Sequence, residues 1–152
     1  MEFLTDYLLM FMLGSYTVAT MDDLKKMRAS VSFVYLWALV AVVSGIVFFM
    51  ADQTQLVPRA ITIIVTFVLM RTGVVPFFRS KVAWGDWFAV LPLIFLFDPV
   101  WFAVFFLLMT LFDKVFLKLV YVHLLNRRVY PFMPAITIPL AMITIPKIMG
   151  LI

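Results

Sequence analysis

Residues 31–50 read VSFVYLWALVAVVSGIVFFM, twenty positions without a charged side chain. A helix of that length reaches about 30 Å, the thickness of a bilayer's hydrocarbon core. The rest of the chain repeats the pattern, with apolar runs of similar length joined by short polar pieces. Of 152 residues, 66% are hydrophobic and only 13% are charged. The mean hydropathy is +1.14. A soluble domain carries roughly 25% charged and 45–50% apolar residues, and a small one leaves much of its surface in water. A bilayer accepts that surface as an apolar solvent. The expected fold is therefore all-α, a single transmembrane helical domain over residues 1–152 with about six spans.

The expected spans are residues 3–20, 31–50, 57–77, 86–97, 100–121 and 131–149. A polar hinge, Met21 to Ser30, follows the first, and Asp52-Gln53-Thr54-Gln55 follows the second. Pro58 falls in the first turn of the third, where its missing N–H is tolerated. Arg79 to Gly85 forms the next loop. Span four is short, about 18 Å of helix, and Asp98-Pro99 is a turn signal that separates it from span five. Pro139 and Pro146 lie inside span six. The beginning of the chain lacks the basic segment and small-residue cleavage site of a signal peptide, so residues 3–20 read as a retained span.

Orientation follows from Lys and Arg. Lys25, Lys26, Arg28, Arg79, Lys81, Arg127 and Arg128 fall in loops after spans one, three and five. Arg59 and Lys147 fall on the other side, and Arg71, Lys114 and Lys118 within spans. The richer side is expected to be cytoplasmic, which puts both termini outward. This arrangement belongs to an integral protein of the cytoplasmic membrane, with lipid as its surroundings. The net charge of +4 then reflects topology, and nucleic acid is not an expected partner. The absence of cysteine excludes disulfides and thiolate metal sites. No P-loop, dinucleotide-binding turn or His-Glu-x-x-His motif occurs. Neither a cofactor nor a metal is expected.

On this topology Asp22, Asp23 and Asp86 lie at the cytoplasmic surface. Two carboxyls from different spans at one depth can share a proton, because both cannot ionise at short distance. One then activates water and the other protonates the leaving group. At a helix N-terminus Asp86 is favoured as the anion and hence as the base, which leaves the acid role to Asp23. The simpler alternative makes Asp86 a cap of span four.

These residues also carry a resemblance. Ala19-Thr20-Met21-Asp22-Asp23-Leu24-Lys25-Lys26-Met27-Arg28 resembles the segment holding the first catalytic Asp of the type IV prepilin and preflagellin peptidases. Ala83-Trp84-Gly85-Asp86 is similar to their Gly-x-Gly-Asp motif, with Ala83 in place of the first Gly and Trp87-Phe88 where a Lys often follows. Val129-Tyr130-Pro131-Phe132-Met133-Pro134-Ala135 resembles the Pro-Phe-x-Pro-Ala-like start of their last span. The likeness covers nearly the whole chain. It implies a six-span intramembrane aspartyl endopeptidase that removes the leader of pilin-like precursors at the cytoplasmic face. Asp23 and Asp86 would be its catalytic pair, with Asp22 as the substitute for Asp23. The bulky Trp84 and Trp87 would narrow access for a substrate strand.

The other class open to this sequence is a non-catalytic helical subunit of a larger membrane assembly of respiratory or oxidase type, with other membrane subunits as partners. Arg71, Asp113, Lys114 and Lys118 are ionisable groups within spans, which mark a proton or ion path or else structural pairing and snorkelling. Lys114 and Lys118 share a helix face. His123 stands alone and is a poor metal ligand. The eleven Met are ordinary apolar filling. Trp84, Trp87 and Trp101 are expected as interfacial anchors.

Overall fold

The computed structural model describes residues 2–26, 30–72, 84–126 and 131–150. Arg28, Arg79, Lys81, Ala83, Arg127, Arg128, Val129 and Tyr130 lie outside the described residues. Among those described there are six α-helices and no strand. Three helical segments are long and apolar enough to cross a membrane: Val31–Ala51, Gln53–Arg71 and Pro99–Leu124. The chain divides into two compact units, Met1–Ser30 with Phe105–Ile152, and Val31–Val104.

In the first unit α1 (Glu2–Lys26) packs on α6 (Met133–Ile148). Leu9, Met12, Tyr16 and Ala19 are fully buried. Their alternating three- and four-residue spacing puts them on one helical stripe. On α6, Met133, Ile136, Leu140 and Ile143 repeat the spacing and are likewise buried. Hydroxyls join the two helices. Thr20 and Thr137 lie 2.7 Å apart, and Thr137 Oγ1 also reaches the carbonyls of Met133 and Tyr16. At the other end Lys147 pairs with Asp6 at 3.3 Å.

The expected hinge at Met21 is helix in the structure, as far as Lys26. Lys25 and Lys26 in the last turn suit the negative end of the helix dipole, and Lys26 reaches back four residues to Asp22. Sequence polarity marked this segment as interfacial, and a helix can stay wound there.

The first part of α5 is Pro99–Leu111. The segment continues through π-helical turns at Phe112–Leu117 and Leu119–Leu124. α6 keeps its helix through Pro139 and Pro146, although each ring removes one N–H donor.

The second unit holds α2 (Val31–Ala51), a 3-10 turn (Gln53–Gln55), α3 (Leu56–Thr72) and α4 (Trp84–Leu96). α4 packs most extensively on α2 and also on α3. It has 13 residues, about 20 Å of helix, so the short fourth helix and its break at Asp98-Pro99 are both present. The helix starts at Trp84, two residues before the expected Asp86. Arg71 near the end of α3 stands over the Trp84 ring at 4.6 Å. Arg59 near the start of α3 bonds the far end of α4. α4 therefore runs antiparallel to α3 along nearly its whole length.

Candidate functional site

Asp23 occupies the next position of the buried stripe of α1, after Leu9, Met12, Tyr16 and Ala19. It is only 5% exposed. Its Oδ2 accepts hydrogen bonds from the backbone N–H groups of Phe132 (2.8 Å) and Met133 (2.9 Å). Those N–H groups belong to the first turn of α6 and have no carbonyl within their own helix to bond. Asp23 thus caps α6 from another helix. The positive end of the α6 dipole adds to the attraction. The first and last pieces of the motif pattern, Asp22-Asp23 and Pro131-Phe132-Met133-Pro134, meet here.

Asp22 differs from its neighbour. It points to the partly exposed side and pairs with Lys26 at 3.4 Å. A pair of that kind contributes at most about 1 kcal/mol. The stripe spacing, readable from the sequence, distinguishes the two. Asp23 follows Tyr16 and Ala19 at seven and four residues, and Asp22 does not.

Asp86 lies in the first turn of α4, in the second unit, and is half-buried. Its helix face is that of Val90 and Leu93, both fully buried. Gly85 beside it faces α2. A Cβ built there would stand 3.3 Å from Val34 Cγ2. The glycine of this motif therefore serves close helix packing within the unit. Of the expected aromatic anchors, Trp87 is buried, with the Phe67 ring edge-on at 5.3 Å. Trp84 is about half exposed.

Arg59 was counted from sequence only as a loop charge, and its role was missed. It is one turn inside α3 and 7% exposed. Its Nη1 donates to the carbonyls of Ile94 (2.6 Å), Phe95 (2.9 Å) and Phe97 (3.3 Å). These are last-turn carbonyls of α4 or lie just beyond it, and they lack helical partners. Its guanidinium also stands over the Phe48 ring at 4.6 Å. Asp52 and Asp98 are its acidic neighbours. The available signal was an Arg placed inside an apolar helix, one turn after the acidic turn at Asp52. Asp52 Oδ1 accepts from both Thr54 N and Thr54 Oγ1, and the Thr54 side-chain bond, then the backbone bond, hold its carboxyl below the usual carboxylate range.

Of the other ionisable groups within spans, Asp113 is 1% exposed in the π-helical turn. Lys114 is half-buried and Lys118 exposed. His123 is exposed near the end of the same segment. Among the described residues no cluster of three or more His, Asp or Glu is placed to hold a metal ion. The chain matches no protein-family model, no curated protein and no solved structure.

Proposed function

We propose that the chain is a six-span intramembrane aspartyl endopeptidase of the prepilin and preflagellin peptidase type. In this reading both termini face outward from the cytoplasmic membrane, and the leader of pilin-like precursors is cut at the cytoplasmic face. Asp23 and Asp86 are the catalytic pair. One carboxylate takes a proton from water as its oxygen attacks the scissile carbonyl carbon. The other carboxyl gives a proton to the departing nitrogen. The observation that carries the reading is Asp23 itself. A carboxylate set on a buried stripe, and held by the start of α6, unites two of the three segments on which the resemblance rests.

The test is leader cleavage of a panel of pilin-like precursors in membranes. Wild type is compared with Asp23→Asn, Asp22→Asn and Asp86→Asn, each checked for folding. Loss of cleavage in Asp23→Asn and Asp86→Asn, with Asp22→Asn active, is the expected result. Cleavage by Asp86→Asn at the wild-type rate would remove the dyad.

The same carboxylate favours a second reading. Capping α6 accounts for the burial of Asp23 without any reaction, as suits a non-catalytic helical subunit of a membrane assembly. Wild type would then cleave no precursor and would co-migrate with partner subunits in mild detergent.

A further inference from the structure

The second unit carries an apolar groove between α2, α3 and α4. It consists of two adjoining cavities of about 290 and 460 Å³ that share Gly45, Phe49, Ile63 and Phe95 as walls. Small-molecule sites occupy roughly 300–1,000 Å³. Phe49 and Ala60 on its rim are exposed, so the groove opens outward. The Phe95 ring packs against Gly45, where a Cβ would stand 3.3 Å from it. Along α2 and the residue after it the lining runs from Ala41 to Asp52. Eleven helical steps are about 17 Å, close to half of a hydrocarbon core of roughly 30 Å. In a bilayer a groove of this length would match the depth of one leaflet.

Its mouth is polar. Asp52 and Arg59 both line it. Arg59 is committed to the α4 carbonyls and the Phe48 ring, and its charge is further offset by Asp52 and Asp98. Asp52 is exposed. Its Oδ1 holds both bonds from Thr54, which leaves Oδ2 as the outward acceptor. The carboxyl end of α2 and the amino end of α3, which both reach this mouth, carry opposite partial charges. With Arg59 buried and engaged, Asp52 is the exposed charged side chain among the lining residues.

We infer that this groove is a binding site for one hydrocarbon chain of a membrane lipid with an ammonium headgroup, whose ammonium pairs with Asp52. The site goes beyond the proposed peptidase reaction and uses neither Asp23 nor Asp86. It does rest on the membrane reading of the chain. The lipid's chain fills the apolar walls, and its headgroup meets the carboxylate where the groove reaches the interface. A lipid with a purely anionic headgroup meets the same carboxylate unfavourably.

The test uses the full chain in detergent, mixed with phosphatidylethanolamine or with phosphatidylglycerol of identical acyl chains. Retained lipid is counted by native mass spectrometry. The expected result is preferential retention of phosphatidylethanolamine by up to about fivefold, the upper end for an exposed ion pair. Asp52→Asn, which keeps the Thr54 turn, abolishes the preference. Ala60→Phe, which fills the groove from its exposed rim, lowers retention of both lipids. Circular dichroism establishes that each variant is folded. Equal retention of the two lipids by wild type would overturn the headgroup assignment. Undiminished retention by folded Ala60→Phe would overturn the groove as the site.

Discussion

At the residue scale two side chains each complete a helix to which they do not belong. Asp23 supplies the acceptor that the first N–H groups of α6 lack. Replacing an N-cap acceptor by Ala costs about 0.5–2 kcal/mol, and leaving buried donors unsatisfied costs about 1–3 kcal/mol. Asp23→Ala should therefore destabilise the chain by about 2–3 kcal/mol in detergent unfolding. Asp23→Asn retains an oxygen acceptor and should lose only about 1 kcal/mol. Asn thus isolates any reaction from the fold. A stability loss as large for Asn as for Ala would mean that the charge itself, and not the acceptor, holds α6. Arg59 does the converse at the end of α4. One Nη1 shared by three carbonyls makes Arg59→Met costly, about 2–4 kcal/mol, because hydrogen bonds from charged donors are worth about 1.5–3 kcal/mol. Arg59→Lys should fall between, since a compact ammonium keeps the charge but not the planar fork. Equal stability of Met and wild type would show that water or lipid headgroups satisfy those carbonyls.

At the element scale the glycine of the Gly85-Asp86 pair can be tested without touching either carboxylate. Its missing Cβ lets α4 approach α2, with Val34 Cγ2 as the neighbour that would be met at 3.3 Å. Gly85→Ala should cost about 1 kcal/mol through overpacking. Val34→Ala in the same chain should recover most of that loss, giving a favourable coupling in the double-mutant cycle. Additive losses would assign the glycine another purpose. Apolar run length, Asp98-Pro99 and Pro58 located the helices well, because these signals are local. The extension of α1 to Lys26 and the start of α4 at Trp84 were not visible. Interfacial polarity ends a hydrophobic run but not the hydrogen-bonded turn beneath it. The caps by Asp23 and Arg59 depend on partners 109 and 35 or more residues away. No window of sequence contains such pairs. The buried stripe that ends in Asp23 was legible in the spacing, and it separates Asp23 from Asp22 better than the motif likeness does.

At the scale of the whole molecule the crossing of α4 sets which loops share a side of the membrane. Among the described residues three segments are long and apolar enough to span by themselves. If only those crossed, Gln53 and His123 would share one side, with Lys26 and Asp98 on the other. If six helices cross, Lys26 and His123 share the cytoplasmic side, and Gln53 and Asp98 face outward. The second unit favours α4 as a crossing helix. Arg59 ties its far end to the start of α3, and Arg71 stands over Trp84 at its beginning. A helix laid antiparallel along a spanning helix shares its depth at both ends. The cost of its shortness, about 20 Å against roughly 30 Å of hydrocarbon, is met by local thinning or tilt of neighbours at fractions of a kcal/mol per ångström. The chain has no cysteine, so single substitutions give clean labels. Lys26→Cys, Gln53→Cys, Asp98→Cys and His123→Cys sit at exposed positions. With a membrane-impermeant maleimide on intact cells, Gln53→Cys and Asp98→Cys should label directly. Lys26→Cys and His123→Cys should label only after permeabilisation. Labelling of His123→Cys together with Gln53→Cys would remove α4 from the crossing helices. Asp86 would remain on the side of Lys26 even then, because α2 and α3 together carry the chain across and back, so the crossing of α4 and the aspartate pairing are separable questions.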